Sequence, residues 1–482
     1  MSRLPLVDGV LKYIKEKNVS FCMPGHKGGI GFLKTLKGRE LYENFIKGDI
    51  TEVDGLDNLH HAEGIIKESQ QLLSDYYGSV KSYFLVNGST SGNLAMIFSS
   101  FNEGDKIIVE RNCHRSIFNA IIMRKLKPVY IKNKIHSKYD VPFPLDKEHF
   151  LILIHENKDA KGIIVTYPNY YGICLDLPYV IKVAKEYNIK VLVDAAHGAH
   201  FGANKLLPGN PLKMGANMVV MSAHKTLPSL TQTAFLHVGQ GIDISKVDFY
   251  VSAFLSTSPS YMFLCSMDYA RFYIEEYGEN GYEQLIKLCI LNRNKINSLS
   301  KFHILSQEDL ADTAEKYTEN DNNYTMDLTR YIVNVPKGYS GHKLLNYLRL
   351  NKIQAEMSDS RNVVLIFSPF NKQQDFEKLY IALKNCDINT LSEQYIDIID
   401  YSMPMSIMFP YEVMDRQKIM VNLKSAEGKI SATPIVPYPP GIPIVMPGER
   451  LTKETIAAIE YYLQYNVTVL GINDWKIAIV EQ

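Results

Sequence analysis

Two apolar runs of this chain end abruptly in side chains that could share one cofactor. Residues 191–197 read VLVDAAH and residues 218–225 read MVVMSAHK, so Asp194 closes one run and Lys225 follows the other. The stretch between them has room for one crossover connection between neighbouring parallel strands. Pyridoxal 5'-phosphate needs a lysine amine to bind its aldehyde and a carboxylate to keep its pyridine nitrogen protonated. The spacing therefore predicts a pyridoxal-phosphate site built on Lys225 and Asp194.

Each of these residues also has an ordinary explanation. A lysine after a strand can simply mark an exposed strand end, and an aspartate there can cap the following helix. The pair is more informative than either residue alone, because open α/β sheets bind ligands at the carboxyl ends of their strands.

A third run indicates where a phosphate could bind. Residues 86–93 read VNGSTSGN, which is typical of a strand, a tight turn and a helix start. A helix N-terminus offers free backbone N–H groups to an anion, although an ordinary N-cap has the same residue types. The hydroxyl and imidazole groups predicted to contact the cofactor phosphate are Ser89, Thr90, Ser91, Ser222 and His224.

Histidines recur after the predicted strands. His114, in the segment RNCHRS, is a candidate to stack on the pyridine ring, and His197 could face the phenolic oxygen of the cofactor. Ala196 is small enough to lie flat against the ring. Zinc is the rival explanation for such histidines, but no HxH or HExxH spacing supports it, so we predict no metal site.

The elements that must position these residues alternate between strands and helices. Short Val- and Ile-rich runs, mostly apolar on both faces, predict buried parallel strands at 82–88, 106–110, 127–131, 161–168, 190–197, 217–223 and 234–238. Helical patterns lie between several of them, at 91–101, 114–126 and 178–188. We therefore predict an α/β fold whose large domain holds a mostly parallel, seven-stranded sheet between helices.

The remaining segments predict two further units. Residues 330–386 follow a β-α-β-β-α order, and residues 434–449 form a proline-rich run before a helix at 451–465. The polar segment 306–325 is predicted to be a loop. We predict four parts: an N-terminal arm (1–60), a cofactor-binding large domain (61–275), a small α+β domain (276–390) and a C-terminal α+β domain (391–482).

Composition narrows the classes of function. The formal net charge is +0, which gives no electrostatic reason to expect nucleic acid or an anionic membrane as partner. The 6 cysteines are scattered without a CxxC pair, and a reducing cytoplasm fits that pattern best. No apolar run is long enough to span a membrane, and the N-terminus lacks the apolar core of a signal peptide.

The motifs resemble those of one known family, the bacterial ornithine/lysine/arginine decarboxylases among the fold-type I pyridoxal-phosphate enzymes. The resemblance covers nearly the whole chain and follows the family order: MPGHKGG (23–29), LDNLHHAEGIIKES (56–69), NGSTSGN (87–93), ERNCHRS (110–116), PNYYG (168–172), VDAAHGAH (193–200), SAHKTLPSLTQ (222–232), STSPSY (256–261) and YPPGIPIVMPGE (438–449). The chain resembles the short, biosynthetic members, which lack an N-terminal wing domain.

The resemblance implies roles for individual residues. Lys225 and Asp194 match the family's cofactor lysine and ring-nitrogen partner, and His114 its ring-stacking histidine. Ser258 lies in a segment that reaches the phosphate of a neighbouring subunit in the family, which implies a homodimer or a higher homo-oligomer with shared sites. The chain departs from many relatives in carrying Ala195 after Asp194, and Asn169 in place of a threonine.

The resemblance implies decarboxylation of a basic amino acid, arginine or lysine before ornithine, in polyamine biosynthesis. An aminotransferase or lyase on the same fold, or a catalytically silent regulatory homologue, remains an alternative. An aminotransferase usually clamps the α-carboxylate with an arginine, and no obvious candidate stands in the small domain beyond Arg330 and Arg361. A cationic side chain needs an acidic partner, for which Asp57 and Glu449 are the candidates.

Overall fold

The computed structural model describes residues 4–313, 324–396, 402–438 and 441–481. Its largest sheet has seven strands, which lie in the order Lys81–Leu85, Ala234–Val238, Met218–Met221, Lys190–Asp194, Gly162–Thr166, Lys106–Glu110 and Lys127–Ile131. Ala234–Val238 runs antiparallel to both of its neighbours, and the other neighbouring pairs are parallel. The mostly parallel, seven-stranded sheet is therefore confirmed.

The central strands are buried on both faces because helices cover the sheet on each side. Val191, Leu192 and Val193 are all at most 1% exposed, as their uninterrupted apolar run predicts. The helices that follow or flank the strands are Ile65–Tyr77, Gly88–Ser100, Arg115–Met123, Lys147–Glu156, Leu177–Glu186, Pro211–Met214 and Ile244–Phe254.

Several predicted strands end earlier than their apolar pattern does. The run 190–197 leaves the sheet after Asp194, the run 217–223 leaves it after Met221, and the run 82–88 ends at Leu85. Thr166 and Val220 are the register partners of Asp194 in the two adjacent strands, so these strands end along one edge. The residues beyond that edge leave the sheet for loops and for the short helix Ala223–Thr226, which place polar side chains at the carboxyl ends of the strands.

A helix of 37 residues, Tyr261–Asn297, connects the large sheet to a second sheet. This second sheet has four strands in the order His303–Ile304, Arg330–Asn334, Asn362–Ile366 and Met357–Ser358. It is flanked by the helices Gly341–Leu350 and Gln373–Asn385. In the predicted polar loop, a short 3-10 helix spans Glu308–Thr313, and residues 314–323 lie outside the described residues.

The C-terminal part builds its own small core. The strands Lys418–Asn422, Lys476–Val480 and Ile472–Asn473 form an antiparallel sheet, and Val436–Tyr438 pairs with Thr468–Leu470. The helix Lys453–Gln464 packs with them, and in the predicted proline-rich run Pro439 and Pro440 lie outside the described residues. The domain boundaries themselves stay a prediction.

The N-terminal segment contacts the region around the second sheet. After the helix Pro5–Lys15, the strand Val19–Phe21 pairs in parallel with Ile353–Ala355. The next helical elements are Phe32–Lys34 and Leu36–Asn44. Within the described ranges, no helix combines the length and apolar character that crossing a bilayer requires.

Candidate active site

Lys225, His197 and Arg330 lie in a row of successive side-chain contacts. Lys225 lies in the short helix Ala223–Thr226, and its Nζ is 3.0 Å from Nε2 of His197. Nδ1 of His197 is 3.4 Å from Nη2 of Arg330, and a guanidinium only donates hydrogen bonds. Nδ1 therefore accepts, so the neutral imidazole carries its proton on Nε2 and can donate it to the amine of Lys225 when that amine is neutral.

Burial favours the neutral form of these groups. It lowers the pKa of Lys225 to about 8, although the negative charge of Asp194 acts in the opposite direction. Burial, together with the neighbouring charges of Lys225 and Arg330, holds the pKa of His197 well below its usual range. A lysine in this state is a better nucleophile than an exposed one, because more of its amine is unprotonated.

Asp194 lies close enough to Lys225 for its negative charge to raise the pKa of that lysine, against the effect of burial. The carboxylate is 2% exposed. Its Oδ2 accepts a hydrogen bond from Nδ2 of Asn93 at 2.9 Å, and its Oδ1 accepts one from the backbone N–H of Ala196 at 3.1 Å. These bonds fix the carboxylate and leave it further acceptor capacity for a protonated ring nitrogen.

His114 forms another wall of the site. It caps the helix Arg115–Met123, where its Nδ1 accepts the backbone N–H of Ser116 at 3.2 Å. The charges of Asp194 and Lys225 both act on its ring, and burial lowers its pKa. The structure therefore brings together Lys225, Asp194, His114 and His197, the four side chains predicted to be catalytic.

The predicted phosphate contacts surround the start of the helix Gly88–Ser100. Asn87 makes no side-chain cap there, so the first turn keeps backbone N–H groups for an anion. Ser222 donates a hydrogen bond to Ser89 at 2.9 Å, which places both hydroxyls at this turn, and Thr90 is exposed beside them. Ser91 instead donates to the carbonyl of Gly88 at 2.8 Å.

His224 is oriented by a backbone carbonyl. Its Nδ1 lies 2.8 Å from the oxygen of Thr233, so Nδ1 carries the proton and Nε2 is unprotonated in the neutral ring. Burial lowers its pKa, which opposes the imidazolium that would be needed to donate from Nε2 to a phosphate. Its phosphate contact stays a prediction, as does that of Ser258, which is exposed in this single chain.

Asp57 caps a helix, and this corrects its assignment as a substrate ligand. Its carboxylate accepts backbone N–H groups at the start of the helix Ile65–Tyr77, including those of Gly64 and Ile66 at 2.9 Å each. Burial alone would raise the pKa of Asp57, but the backbone N–H groups outweigh it and lower that pKa. A carboxylate engaged in this way has little acceptor capacity left for a substrate.

Glu449 is also corrected, because it is paired inside the protein. Its two carboxylate oxygens accept hydrogen bonds from Nη1 and Nη2 of Arg111, both at 2.7 Å, and the two residues are each 2% exposed. This bidentate pair joins the C-terminal part to the end of the strand Lys106–Glu110. Asn169, the departure from the family pattern, shapes its own turn by accepting the N–H groups of Tyr171 and Ile173.

Glu356 is a carboxylate that faces the site and that was not among the residues predicted from the sequence. Glu356 accepts a hydrogen bond from the hydroxyl of Tyr170 at 2.5 Å and one from the backbone N–H of Met23 at 2.9 Å. The ring of Tyr170 packs against that of His197, with centroids 4.7 Å apart, and the charge of Glu356 raises the pKa of Lys225. Glu356 follows a three-residue strand of the small domain, and no local pattern singled it out.

Arg330 also lies at the site, although the sequence indicated it only as one of two arginines that could clamp a carboxylate. It is fully buried, donates to the carbonyl of Tyr170 at 2.7 Å, and contacts His197. Its position in the apolar strand run RYIVNV was the available signal, since an arginine is almost never buried without a partner or a function. The small domain therefore does carry an arginine near Lys225, with His197 between the two side chains.

Comparison with known proteins decides the family. The Orn/Lys/Arg decarboxylase major domain matches residues 4–375, and the Orn/Lys/Arg decarboxylase C-terminal domain matches residues 390–469. The chain belongs to the Orn/Lys/Arg decarboxylase family. The expected family, enzyme class and fold type are confirmed.

Individual relatives in this family match nearly the whole length of this chain. An arginine decarboxylase of Bacillus subtilis is 31% identical over 477 residues, which is 98% of this chain and 96% of the relative. The protein YaaO of the same organism is 34% identical over 97% of this chain and 96% of its own length. The inducible lysine decarboxylase of Escherichia coli is 23% identical over 95% of this chain and 76% of its own length.

Solved structures agree on the fold. The constitutive lysine decarboxylase of E. coli superposes with a TM-score of 0.76 at 19% identity, covering 99% of this chain and 82% of that one. A serine palmitoyltransferase of Sphingomonas wittichii superposes with a TM-score of 0.58 at 13% identity, covering 77% of this chain and 87% of that one. The chain thus shares the fold of these enzymes, and its membership of the Orn/Lys/Arg decarboxylase family supports pyridoxal 5'-phosphate as the cofactor.

The residues of the site fit this cofactor. When bound, pyridoxal 5'-phosphate supplies an electron sink for the pair of electrons left by the departing carboxyl group. Lys225 would hold the aldehyde, and Asp194 the ring nitrogen. Ser89 and Ser222 would hold the phosphate. The low exposure of Asp194 and of His197, 2% and 6%, keeps water away from the amine of Lys225 and strengthens each charge around it.

Proposed function

We propose that this decarboxylase acts on arginine, and that Glu356 binds the guanidinium of the substrate. The observation that carries the proposal is the position of Glu356, a carboxylate whose charge acts on Lys225 while its two oxygens are held by Tyr170 and Met23. A carboxylate has about four acceptor sites, so two remain for the parallel N–H groups of a guanidinium. This replaces Asp57 and Glu449 as the predicted substrate ligands.

The relatives support arginine over lysine. Four similar full-length proteins named arginine decarboxylase are 30% to 31% identical to this chain, whereas those named lysine decarboxylase are 22% to 23% identical. In this proposal each residue has a separate role. Glu356 binds and orients the substrate, Asp194 holds a protonated ring nitrogen, and Lys225 moves the proton at Cα.

The first test compares substrates and products. Purified protein loaded with cofactor is incubated with arginine, lysine or ornithine, and the amine product and CO2 are measured. We expect CO2 with agmatine from arginine as the fastest reaction. Keto-acid formation would instead identify an aminotransferase, for which Arg330 would be the carboxylate clamp, and faster release of cadaverine or putrescine would overturn the choice of arginine.

The second test removes only the charge of Glu356. In Glu356→Gln we expect kcat/KM for arginine to fall about 100-fold, because a charge-assisted bidentate contact is lost. Turnover of citrulline, which lacks the positive charge, should change little. Glu377→Gln is the matched control, since Glu377 is a partly exposed carboxylate of the same domain, paired with Lys295 at 2.8 Å. Equal losses on arginine and citrulline would contradict the assignment.

We also propose that two chains build each site. In support, the helix Pro5–Lys15 has no buried residue, its apolar side chains Leu6 and Ile14 are 78% and 61% exposed, and residues 256–258 are exposed. Contiguous exposed apolar surface is typical of an interface. The enzyme would be a homodimer that works in the cytoplasm and contributes to polyamine biosynthesis.

Mixing two inactive variants tests the shared site. Lys225→Ala removes the amine from one chain, and Ser258→Arg blocks the phosphate contact that the other chain would supply. After unfolding and refolding together, we expect about a quarter of the wild-type activity, because half of the dimers are mixed and each has one intact site. No recovery, with mixed dimers shown by mass spectrometry, would mean that each site lies within one chain.

A further inference from the structure

The geometry points to Asn93 and Ser116 as positioning residues that hold the ring of His114 in the tautomer with its proton on Nε2. The inference rests on the proposed role of His114 at the cofactor ring. It concerns a hydrogen-bond chain that begins at Asp194 and ends at His114, and that involves two residues with no part in the proposed binding of cofactor or substrate.

The orientation of the Asn93 amide is fixed at one end by charge. Its Nδ2 lies 2.9 Å from Oδ2 of Asp194 and 2.8 Å from Oγ of Ser116. The reversed amide would turn its oxygen toward a carboxylate oxygen, which is repulsive. Nδ2 therefore donates one proton to each neighbour, and Oδ1 accepts no hydrogen bond within the part of the chain that the structure describes.

This orientation of the Asn93 amide fixes the direction of the hydrogen bond from the Ser116 hydroxyl. Because its Oγ accepts from Asn93, its single hydroxyl proton is free to be donated to Nδ1 of His114, which is 2.7 Å away. The backbone N–H of Ser116 is directed at the same nitrogen, at 3.2 Å. Two donors thus converge on Nδ1, so this nitrogen is unprotonated and the neutral ring carries its proton on Nε2.

The arrangement also opposes the imidazolium form. A proton on Nδ1 would face the backbone N–H of Ser116, which cannot turn away. Burial lowers the pKa of His114 further and the charge of Lys225 acts in the same direction, while the charge of Asp194 opposes them. His197 is a further titratable group that interacts with the ring. His114 therefore offers the site a hydrogen bond from Nε2 and not a transferable proton.

The test reads the tautomer directly, in protein loaded with cofactor but without substrate. A long-range proton–nitrogen correlation spectrum of protein labelled with 15N-histidine shows which ring nitrogen is protonated, and the signal of His114 is assigned by its loss in His114→Asn. We expect Nε2 to be protonated in the wild type. Ser116→Ala removes the hydroxyl donor, so part of the ring should carry its proton on Nδ1 and the pKa of His114 should rise.

Two variants separate this effect from a loss of packing. Ser116→Thr keeps a hydroxyl and should restore the wild-type spectrum. Ser99→Ala removes a buried hydroxyl that donates to its own helix, in the same helix as Asn93, and should leave His114 unchanged. In steady-state assays we expect kcat to fall about tenfold in Ser116→Ala with little change in KM, and less than about twofold in Ser99→Ala.

A wild-type ring protonated on Nδ1 overturns the proposal. So does a Ser116→Ala spectrum that matches that of Ser99→Ala. Because the spectrum needs no substrate, a protein that fails to decarboxylate any basic amino acid would overturn the proposed function and leave this readout intact.

Discussion

At the scale of single residues, the site depends on how burial shifts the protonation of Lys225. An exposed lysine has a pKa of about 10.4, so only about one amine in 2,500 is neutral at pH 7. Burial lowers the pKa of Lys225 to about 8, which raises the neutral fraction to about one in ten. The neighbouring His197 stays neutral, and its Nε2 lies 3.0 Å from the same amine.

We therefore expect cofactor-free protein to bind pyridoxal 5'-phosphate covalently at a rate that rises with pH and levels off above about pH 8. The sign follows from the lowered pKa, since the attacking form is the neutral amine. Stopped-flow absorbance gives the rate, and reduction with borohydride followed by peptide mass spectrometry gives the site. A plateau only above about pH 10 would contradict a buried, activated lysine.

Lys27 provides a matched control. Its pKa is also lowered to about 8 by burial, but its Nζ donates to the carbonyl oxygens of Cys22 at 2.6 Å and Ile366 at 2.9 Å. Those contacts hold its amine against the backbone and away from a ligand. Lys27→Met should leave the rate and the pH of covalent attachment unchanged, provided that the variant is folded by circular dichroism.

At the scale of elements, the N-terminal segment supports the turn that carries Lys225. The backbone N–H of Gly25 donates to the carbonyl of His224 at 2.7 Å, and the next contact along this segment, from Met23 to Glu356, reaches the small domain. A Cβ on Gly25 would lie 2.6 Å from the carbonyl oxygen of Leu227. Glycine is therefore required here because backbone approaches backbone.

Gly25→Ala should displace the residues around Lys225 and reduce kcat at least about tenfold, since small misplacements in a site are costly. Gly9→Ala is the control, because Gly9 lies in the helix Pro5–Lys15 with nothing within 4 Å of its added Cβ. That change should stabilise the helix by about 0.5–1 kcal/mol without displacing the residues around Lys225. Unaltered kinetics in Gly25→Ala would show that the segment does not position the lysine.

At the scale of the whole molecule, one buried ion pair connects the C-terminal part to the large sheet. Arg111 donates to Glu449 through two nitrogens and also to the carbonyl oxygens of Pro443 and Ile444. His114 follows Arg111 by three positions along the chain, so the same loop that meets the C-terminal part also carries a wall of the site. The C-terminal part is thereby linked to the active site through one short loop.

Glu449→Gln should lower the free energy of unfolding by about 3–5 kcal/mol, because it leaves the charge of Arg111 buried without its partner. Urea unfolding followed by fluorescence measures this change. Glu40→Gln breaks the exposed pair with Lys37 and should have no measurable effect. If both variants unfold at the same urea concentration, the buried pair does not hold the C-terminal part in place.

The sequence by itself determined the sheet, the cofactor and the pair Lys225 and Asp194. These follow from short-range signals: apolar runs that exclude water, and polar residues placed where parallel strands end at one edge. The strands 106–110, 127–131 and 234–238 agree with the structure at both ends, because their apolar runs stop where the sheet stops.

Only the tertiary structure decided which other side chains lie at the site around Lys225 and Asp194. Glu356 and Arg330 reach the site from a separate sheet, and Asp57 and Glu449 are withdrawn from it by a helix start and by Arg111. The physical reason is that a side chain's partners depend on distances across the fold, which spacing along the chain does not encode. A charged residue looks the same in sequence whether it caps a helix, pairs in the interior or faces a substrate.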